Sequence, residues 1–272
     1  MVDQPKLRRV IVTRPAHQCS SWVARLHAAG LETLTIPLLD IVAVSQEQSL
    51  EVIKQEILRL DENELVIFVS QNAVLHAFEW IERYWPQFPL GLRCMAIGSK
   101  TEQYIEKILK QVYAATNPLL RSVDLTMTSE SLLSSAQLQE VKNKKILIFR
   151  GVGGRTKLSE ELECRGAIVR HCELYHRVLP GVAAVQLSNA ELNWKQDLFT
   201  VFSGETLQNL HTSLHLSGDF PWRSLPILVP SERVAAQALA LGFEYIIQAK
   251  NASEEGMWLA LDHYISNQRV VL

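Results

Sequence analysis

The chain has 272 residues, of which 47% are hydrophobic and 21% are charged, and its formal net charge is −2. This composition excludes an intrinsically disordered chain, and the near-neutral charge gives no field that would hold a nucleic-acid backbone. Every apolar run is far shorter than the ~20 residues of a membrane-spanning helix, and Met1 to Val10 is too polar for a secretory signal. We therefore expect a cytoplasmic protein of one or two domains that binds neither nucleic acid nor a membrane.

An internal repeat organises the chain. The segments Arg9–Arg14 and Lys145–Arg150 are both buried-strand patterns that end in an arginine, and they lie 136 positions apart. The same offset relates Gly30 to Gly166, so each copy predicts a strand, a helix that ends at a glycine in the left-handed conformation, and a second strand. The second strands are expected at Leu31–Ile36 and Ala167–Cys172.

Later segments repeat at slightly shorter offsets, which indicates a duplicated unit of domain size. Glu64–Ser70 matches Asp197–Ser203, and Cys94–Ser99 matches Pro226–Ser231. Helices are predicted between these strands at Asn72–Tyr84, Val234–Leu241 and Ser253–Tyr264, the first with Val74, Leu75, Phe78 and Ile81 on one face. This alternation favours parallel sheets that helices cover on both faces.

Two extended segments interrupt the alternation. Leu38–Val44 and Glu173–Pro180 follow the second strand of each copy. If the copies form separate domains, these segments are where the chain crosses between them, and we expect a hinge there.

Two glycine-containing segments resemble nucleotide-binding loops without matching them. Gly98–Thr101 lacks the spacing of a phosphate-binding loop, because Arg93 stands where its first glycine would be. Gly151–Thr156 follows a strand, but Thr156 replaces the third glycine of a dinucleotide-binding turn. A milder interpretation remains open, in which the backbone N–H groups of this loop and Arg155 approach an anion.

Cysteine and histidine spacing predicts neither a metal site nor a disulfide framework. The four cysteines form no CxxC pair, which favours reduced thiols. Cys164, His171, Cys172 and His176 alternate along a strand and would point to opposite faces. His211 and His215 share a helix face without the glutamate of a zinc protease motif. We expect no metal and no cofactor.

Hydroxyl and cationic residues recur at the predicted strand ends. At such turns Ser and Thr side chains commonly cap the next helix, and several turns together would also bind an anion. Both interpretations stay open, because an uncapped turn leaves N–H groups free for a carboxylate. The residues are Arg14, Ser70, Ser99, Thr101, Arg150, Ser203, Ser231 and Arg233.

The chain resembles the uroporphyrinogen-III synthase family over nearly its whole length. The order and spacing of many short motifs carry the resemblance, since each motif alone is degenerate. The matching segments are Val10–Pro15 with Leu26, Gly30 and Pro37, Phe68–Val74, Ala96–Thr101, Arg150–Arg155 with Leu158, Leu162 and Gly166, Glu173–Tyr175, Phe202–Gly204, Val229–Ser231, Gly242, Ala249, Ser253 and Met257.

The resemblance implies an α/β fold with two flavodoxin-like parallel-sheet domains, a discontinuous chain and a joining two-stranded β-ladder. It implies that residues 1–37 and 181–272 form one domain and 45–172 the other, with connectors at 38–44 and 173–180. It also implies an active site in a cleft between the domains.

The implied reaction converts hydroxymethylbilane, a linear tetrapyrrole polycarboxylate, to uroporphyrinogen III with loss of water and inversion of ring D. Tyr175 is implied to assist departure of the hydroxyl group. Ser70, Ser99, Thr101, Arg155, Ser203, Gly204 and Ser231 are implied to bind substrate, and position alone adds Arg14 and Arg233. We expect a monomer with this small molecule as its partner.

One turn departs from the family pattern. Pro230 removes an N–H donor, and Glu232 would repel carboxylates if it faced the substrate.

One function other than the implied reaction stays open. It is that of a non-catalytic module of the same bilobal fold that binds a tetrapyrrole or another polyanion.

Overall fold

The computed structural model describes residues 7–113, 129–217 and 221–269, so the first six residues of the polar N-terminus lie outside it. The described residues alternate strands with helices. The strands are β1 Arg9–Val12, β2 Glu32–Thr35, β3 Asp40–Ala43, β4 Leu65–Phe68, β5 Arg93–Ala96, β6 Lys145–Gly151, β7 Ile168–Val178, β8 Asp197–Thr200, β9 Ile227–Val229 and β10 Ile246–Gln248. The helices are α1 Ser20–Ala28, α2 Glu47–Leu58, α3 Gln71–Tyr84, α4 Ser99–Val112, α5 Ser129–Leu133, α6 Lys157–Cys164, α7 Ala183–Asn189, α8 Gly204–Leu216, α9 Glu232–Leu241 and α10 Glu254–Arg269.

The first of two compact units combines Met1–Asp40 with Val178–Leu272. Its sheet has the order β10-β9-β8-β1-β2, and each of these neighbouring pairs is parallel. Side chains of β1 alternate between two separate cores, with Ile11 in one and Val10 and Val12 in the other. The sheet is therefore covered on both faces, as the alternating pattern predicts.

The second unit comprises Ile41–Arg177. Its sheet has the order β3-β7-β6-β4-β5, and the pairs from β7 to β5 are parallel. Val66 and Phe68 pack into the core formed with α2 and α3, whereas Leu65 and Ile67 pack into the core formed with α5 and α6. All four side chains of β4 are buried, which explains its unbroken apolar run.

The predicted duplication is confirmed by the strand order of the two sheets. The series β9-β8-β1-β2 corresponds to β5-β4-β6-β7, copy for copy. Each sheet carries one further strand at one edge, β10 beside β9 and β3 beside β7. The repeat thus accounts for four strands of each sheet, whereas the fifth strand, β10 or β3, differs between the units.

The chain passes between the units within the two extended segments. Asp40 is the last residue of one portion and Ile41 the first of the next, inside β3. The return lies between Arg177 and Val178, at the end of β7. A hinge at these positions stays a prediction. In the part of the chain that the structure describes, no helix is long and apolar enough to cross a bilayer.

Helix α3 differs from its predicted apolar face at one position. Val74, Phe78 and Ile81 are fully or almost fully buried, but Leu75 is 39% exposed. Leu75 follows Val74 by about 100° around the helix, so it lies beside the buried face rather than on it. Ala77 completes the face in its place.

We predict that Gly30→Ala and Gly166→Ala each destabilise their own unit, by about 1 kcal/mol from the left-handed backbone alone. Their φ angles are +77° and +85°. Gly166→Ala should cost slightly more, because its Cβ would also lie 3.3 Å from the Lys142 Cγ, which would have to shift, whereas a Cβ at Gly30 meets no described atom within 4 Å. Denaturant unfolding of each unit measures the difference, and equal losses would contradict the packing argument.

Candidate functional site

The orientation of Tyr175 follows from an irregularity in the pairing of β6 with β7. Arg150 lies opposite Glu173 and Gly151 opposite Tyr175, so Leu174 is one extra residue on β7. If the pairing were regular here, alternation along β7 would place Tyr175 on the same face as Glu173. The bulge instead turns Tyr175 into the core, where it is 3% exposed.

The Tyr175 hydroxyl meets the first turn of α3. Its oxygen lies 2.9 Å from Ser70 Oγ, in a hydrogen bond that either hydroxyl could donate. Ser70 Oγ also accepts from the Ala73 N–H at 3.1 Å, which caps α3. His76, one turn into the helix, has its ring centroid 5.6 Å from that of Tyr175. The structure therefore brings together Ser70 and Tyr175, which are 105 positions apart.

The loop Gly151–Thr156 connects β6 to α6 and lies against Tyr175. A Cβ at Gly151 would lie only 2.7 Å from Tyr175 Cε2, so the close approach of this backbone to the ring requires glycine. The Val152 N–H donates to the Tyr175 carbonyl at 2.9 Å. Arg155, at the far end of the loop, is exposed and makes no ion pair with any described residue.

Ser99 and Thr101 lie at the start of α4, but neither caps that helix. The residue at the N-cap is Gly98, with φ +89°, and no side-chain cap is formed within the described residues. Ser99 is the first helical residue, and Thr101 is buried. The capping interpretation is therefore wrong for Ser99. The start of α4 lies near that of α3, since Gln71 Nε2 is 3.5 Å from the Lys100 carbonyl.

In the first unit, the ends of β8 and β9 form a second group of predicted residues. Ser203 Oγ accepts from the Thr206 N–H at 3.1 Å and caps α8, as predicted. A Cβ at Gly204 would lie 2.5 Å from Gln237 Oε1 and 3.5 Å from Arg233 Nη1. Arg233 is exposed and lies 3.4 Å from Gln237 Oε1. The starts of α8 and α9 are thus close neighbours.

Ser231 occupies the N-cap position of α9 without capping it, because its side chain makes no cap hydrogen bond in the described structure. The capping interpretation is wrong here too. Pro230 is buried, and Glu232 is exposed in the first turn. At that position the carboxylate interacts favourably with the positive end of the helix dipole, which opposes binding of a second anion there.

Arg14 is held by contacts within the first unit. Its Nη1 donates to Glu254 Oε1 at 3.0 Å, and its guanidinium carbon lies 4.5 Å from the centre of the Phe202 ring. Both side chains of the ion pair are about one-fifth exposed. An anion that reaches Arg14 would have to share it with Glu254.

Burial affects the titration of a histidine close to the glycine loop. Burial of the His171 ring lowers its pKa, and the positive charge of Arg150 lowers that pKa further. Its Nε2 atom is buried without a hydrogen-bond partner among the described atoms. Within the described ranges no group of three or more His, Cys, Asp or Glu residues is placed to hold a metal ion.

Several residues of the two groups were not predicted from the sequence. His76, Phe202, Gln237 and Glu254 all contact a predicted residue. His76 could have been found from its position, because it lies on the predicted helix that follows Ser70, six residues after that serine. The contact of Glu254 with Arg14 spans 240 positions, and no local pattern signals it.

Comparison with known proteins gives a consistent result. A family model described as uroporphyrinogen-III synthase HemD matches residues 20–258. The uroporphyrinogen-III synthases of Salmonella typhimurium and Escherichia coli are 33% and 31% identical to the chain, and both alignments cover 93% of this chain and 99% of the relative. A crystal structure of uroporphyrinogen-III synthetase from Helicobacter pylori aligns with TM-score 0.59 at 15% identity, over 94% of this chain and all of the other. A mutant uroporphyrinogen III synthase from Thermus thermophilus aligns with TM-score 0.58 at 14% identity, over 96% and 99%.

We predict that Ser70→Ala and Ser203→Ala destabilise their own units by similar amounts. Each change removes a helix cap, which costs about 1 kcal/mol. Each also removes the partner of a buried hydroxyl, that of Tyr175 or that of Thr206, which adds about 1 kcal/mol. Adding Tyr175→Phe to Ser70→Ala should recover part of the loss. Denaturant unfolding measures all three variants, and no recovery in the double variant would contradict the hydrogen bond.

We also predict that the second unit loses stability as the pH falls below about 6.5, the ordinary pKa of histidine. The lowered pKa of His171 means that the unfolded chain binds a proton more readily than the folded one, so stability is full above that pH and declines below it. His171→Gln should flatten this decline, whereas His27→Gln in the other unit should not. Denaturation midpoints of the second unit at pH 7.5, 6.5 and 5.5 provide the test.

Proposed function

Because the chain belongs to the uroporphyrinogen-III synthase family, we propose that it is a lyase that cyclises hydroxymethylbilane to uroporphyrinogen III with inversion of ring D. The observation that carries the mechanism is the hydrogen bond between Tyr175 and Ser70 beside the glycine loop. The reaction releases one water and changes no oxidation state, so its atoms balance without a cofactor or a metal. We further propose that the enzyme acts as a monomer in the cytoplasm.

The chemistry requires alignment more than strong acid or base. The hydroxymethyl group leaves readily because the pyrrole nitrogen stabilises the resulting cation. Uncatalysed closure then gives the symmetrical I isomer, so the enzyme must direct attack to the substituted carbon of ring D. Holding a flexible chain in one reactive geometry can supply several kcal/mol of the barrier reduction. Only binding that differs between the two transition states selects the isomer.

Tyr175 is proposed to donate a hydrogen bond to the departing hydroxyl group, directly or through a water molecule. Ser70 Oγ already accepts from the Ala73 N–H, and it can give its own proton to the phenol oxygen. In that arrangement the phenol keeps its own proton to donate. The hydroxyl leaves with a proton as water, and the proton lost from ring D on rearomatisation balances it.

The substrate carboxylates are proposed to bind the strand-end donors of both units. Arg155 and Arg233 supply exposed positive charge, and the starts of α4 and α9 supply N–H groups that no described side chain caps. These donors suit a polyanion even though the chain has a net charge of −2. The other proposed contacts are Arg14, Ser70, Ser99, Thr101, Ser203, Gly204 and Ser231.

We predict that supplying hydroxymethylbilane to the purified chain gives mainly the III isomer. Tyr175→Phe should lower kcat by roughly 10² to 10⁴, the loss expected when a positioned proton donor is removed. Tyr84→Phe is the matched control, because Tyr84 lies in the same unit and stacks on Trp80 away from Ser70. The products are oxidised and their isomers separated. If only the I isomer forms, the chain is a binding module; if Tyr175→Phe retains full activity, the tyrosine only packs.

A further inference from the structure

An ion pair with a buried arginine joins the two strands that position Tyr175. Arg150 is 5% exposed at the end of β6, and its Nε lies 3.7 Å from Glu173 Oε1 on β7. Glu173 is partly open to solvent, since 42% of its side chain is exposed. The proposed chemistry uses neither residue.

The glycine loop closes around this pair. Arg150 Nε donates to the Gly151 carbonyl at 3.4 Å, and the Gly153 N–H donates to Glu173 Oε1 at 3.3 Å. A Cβ at Gly154 would lie 2.5 Å from Arg150 Nη2. The guanidinium therefore fills the inside of the turn, and the carboxylate holds the turn from the side of β7.

The same loop also fixes the position of the tyrosine ring. A Cβ at Gly151 would lie 2.7 Å from Tyr175 Cε2, so the Gly151 backbone lies close to the ring, and the Val152 N–H donates to the Tyr175 carbonyl. A movement of the loop would therefore displace the ring. A displacement of the ring would in turn change its 2.9 Å contact with Ser70.

We propose that Arg150 and Glu173 are positioning residues for the cyclisation, acting through the glycine loop on Tyr175. This inference rests on the proposed function. Glu173 keeps the loop in the conformation that aligns the phenol. Arg150 fills the inside of the turn and supplies the positive charge that pairs with Glu173. A small misplacement of an aligned group can cost a large factor in rate, which makes such a pair important beyond its stability.

Two substitutions separate the charge of Glu173 from its hydrogen bond. Glu173→Gln keeps an oxygen that can accept from Gly153 and loses the charge opposite Arg150, whereas Glu173→Ala loses both. We expect Glu173→Ala to lower kcat about tenfold with little change in KM, and Glu173→Gln to lower it less. Amide hydrogen exchange at residues 151–156 should accelerate in the same order.

The decisive comparison repeats Glu173→Ala in a Tyr175→Phe background. A residue that acts through Tyr175 should then change the remaining rate by less than about twofold, because the two effects are not additive. The matched control is Glu161→Ala, which breaks the 2.9 Å ion pair between Glu161 of α6 and Arg165 at the C-cap of that helix. It should leave both kcat and the exchange at 151–156 unchanged.

The outcomes that oppose the proposal are distinct. Equal loss of kcat in both backgrounds would show that Glu173 acts independently of Tyr175, and unchanged exchange at 151–156 would show that it does not hold the loop. Either result overturns the positioning role. If the unsubstituted chain makes only the I isomer, the proposed function itself fails, while the exchange measurement still reports on the loop.

Discussion

The bulge in the pairing of β6 with β7 determines which side chains the second unit presents at the ends of these two strands. One additional residue, Leu174, turns Tyr175 toward α3 and leaves Glu173 beside the glycine loop. Tyr175 and Glu173, which Leu174 separates on one strand, thereby reach different partners, Ser70 and Gly153. In a regular strand Glu173 and Tyr175 would share a face, and this arrangement would not form.

The duplicated units keep the same strand order but use their equivalent arginines differently. Arg14 and Arg150 correspond by the repeat, and each is held by a carboxylate from another element. Arg14 pairs with Glu254 of α10, whereas Arg150 pairs with Glu173 on the adjacent strand. The offset of 136 places Leu39 at the position of Tyr175, so the phenol belongs to one copy alone. Duplication therefore supplied two similar scaffolds, and only the second carries the proposed proton donor.

Much of the fold could be predicted because its signals are local. Apolar runs gave the strands, and the glycines at 30 and 166 marked helix ends with positive φ. The caps at Ser70 and Ser203 follow from a serine at a strand-to-helix turn. The same rule fails at Ser99 and Ser231, because capping depends on the backbone of the turn and not on the residue type alone. The bulge at Leu174 could not be predicted, since register is a property of two strands together.

The difference between capped and uncapped turns bears on how a nearly neutral protein could bind a polycarboxylate. Ser70 and Ser203 hold N–H groups of α3 and α8, so their hydroxyls are already engaged in hydrogen bonds. The starts of α4 and α9 lack such side-chain caps in the described structure, although the Thr101 N–H of α4 donates to the Gly98 carbonyl at 3.0 Å. Each of these helices carries an acidic residue in its first turn, Glu102 in α4 and Glu232 in α9, which opposes an anion at either start. Because α4 adjoins the α3 turn that orients Tyr175, a carboxylate bound there would place the substrate chain close to the phenol.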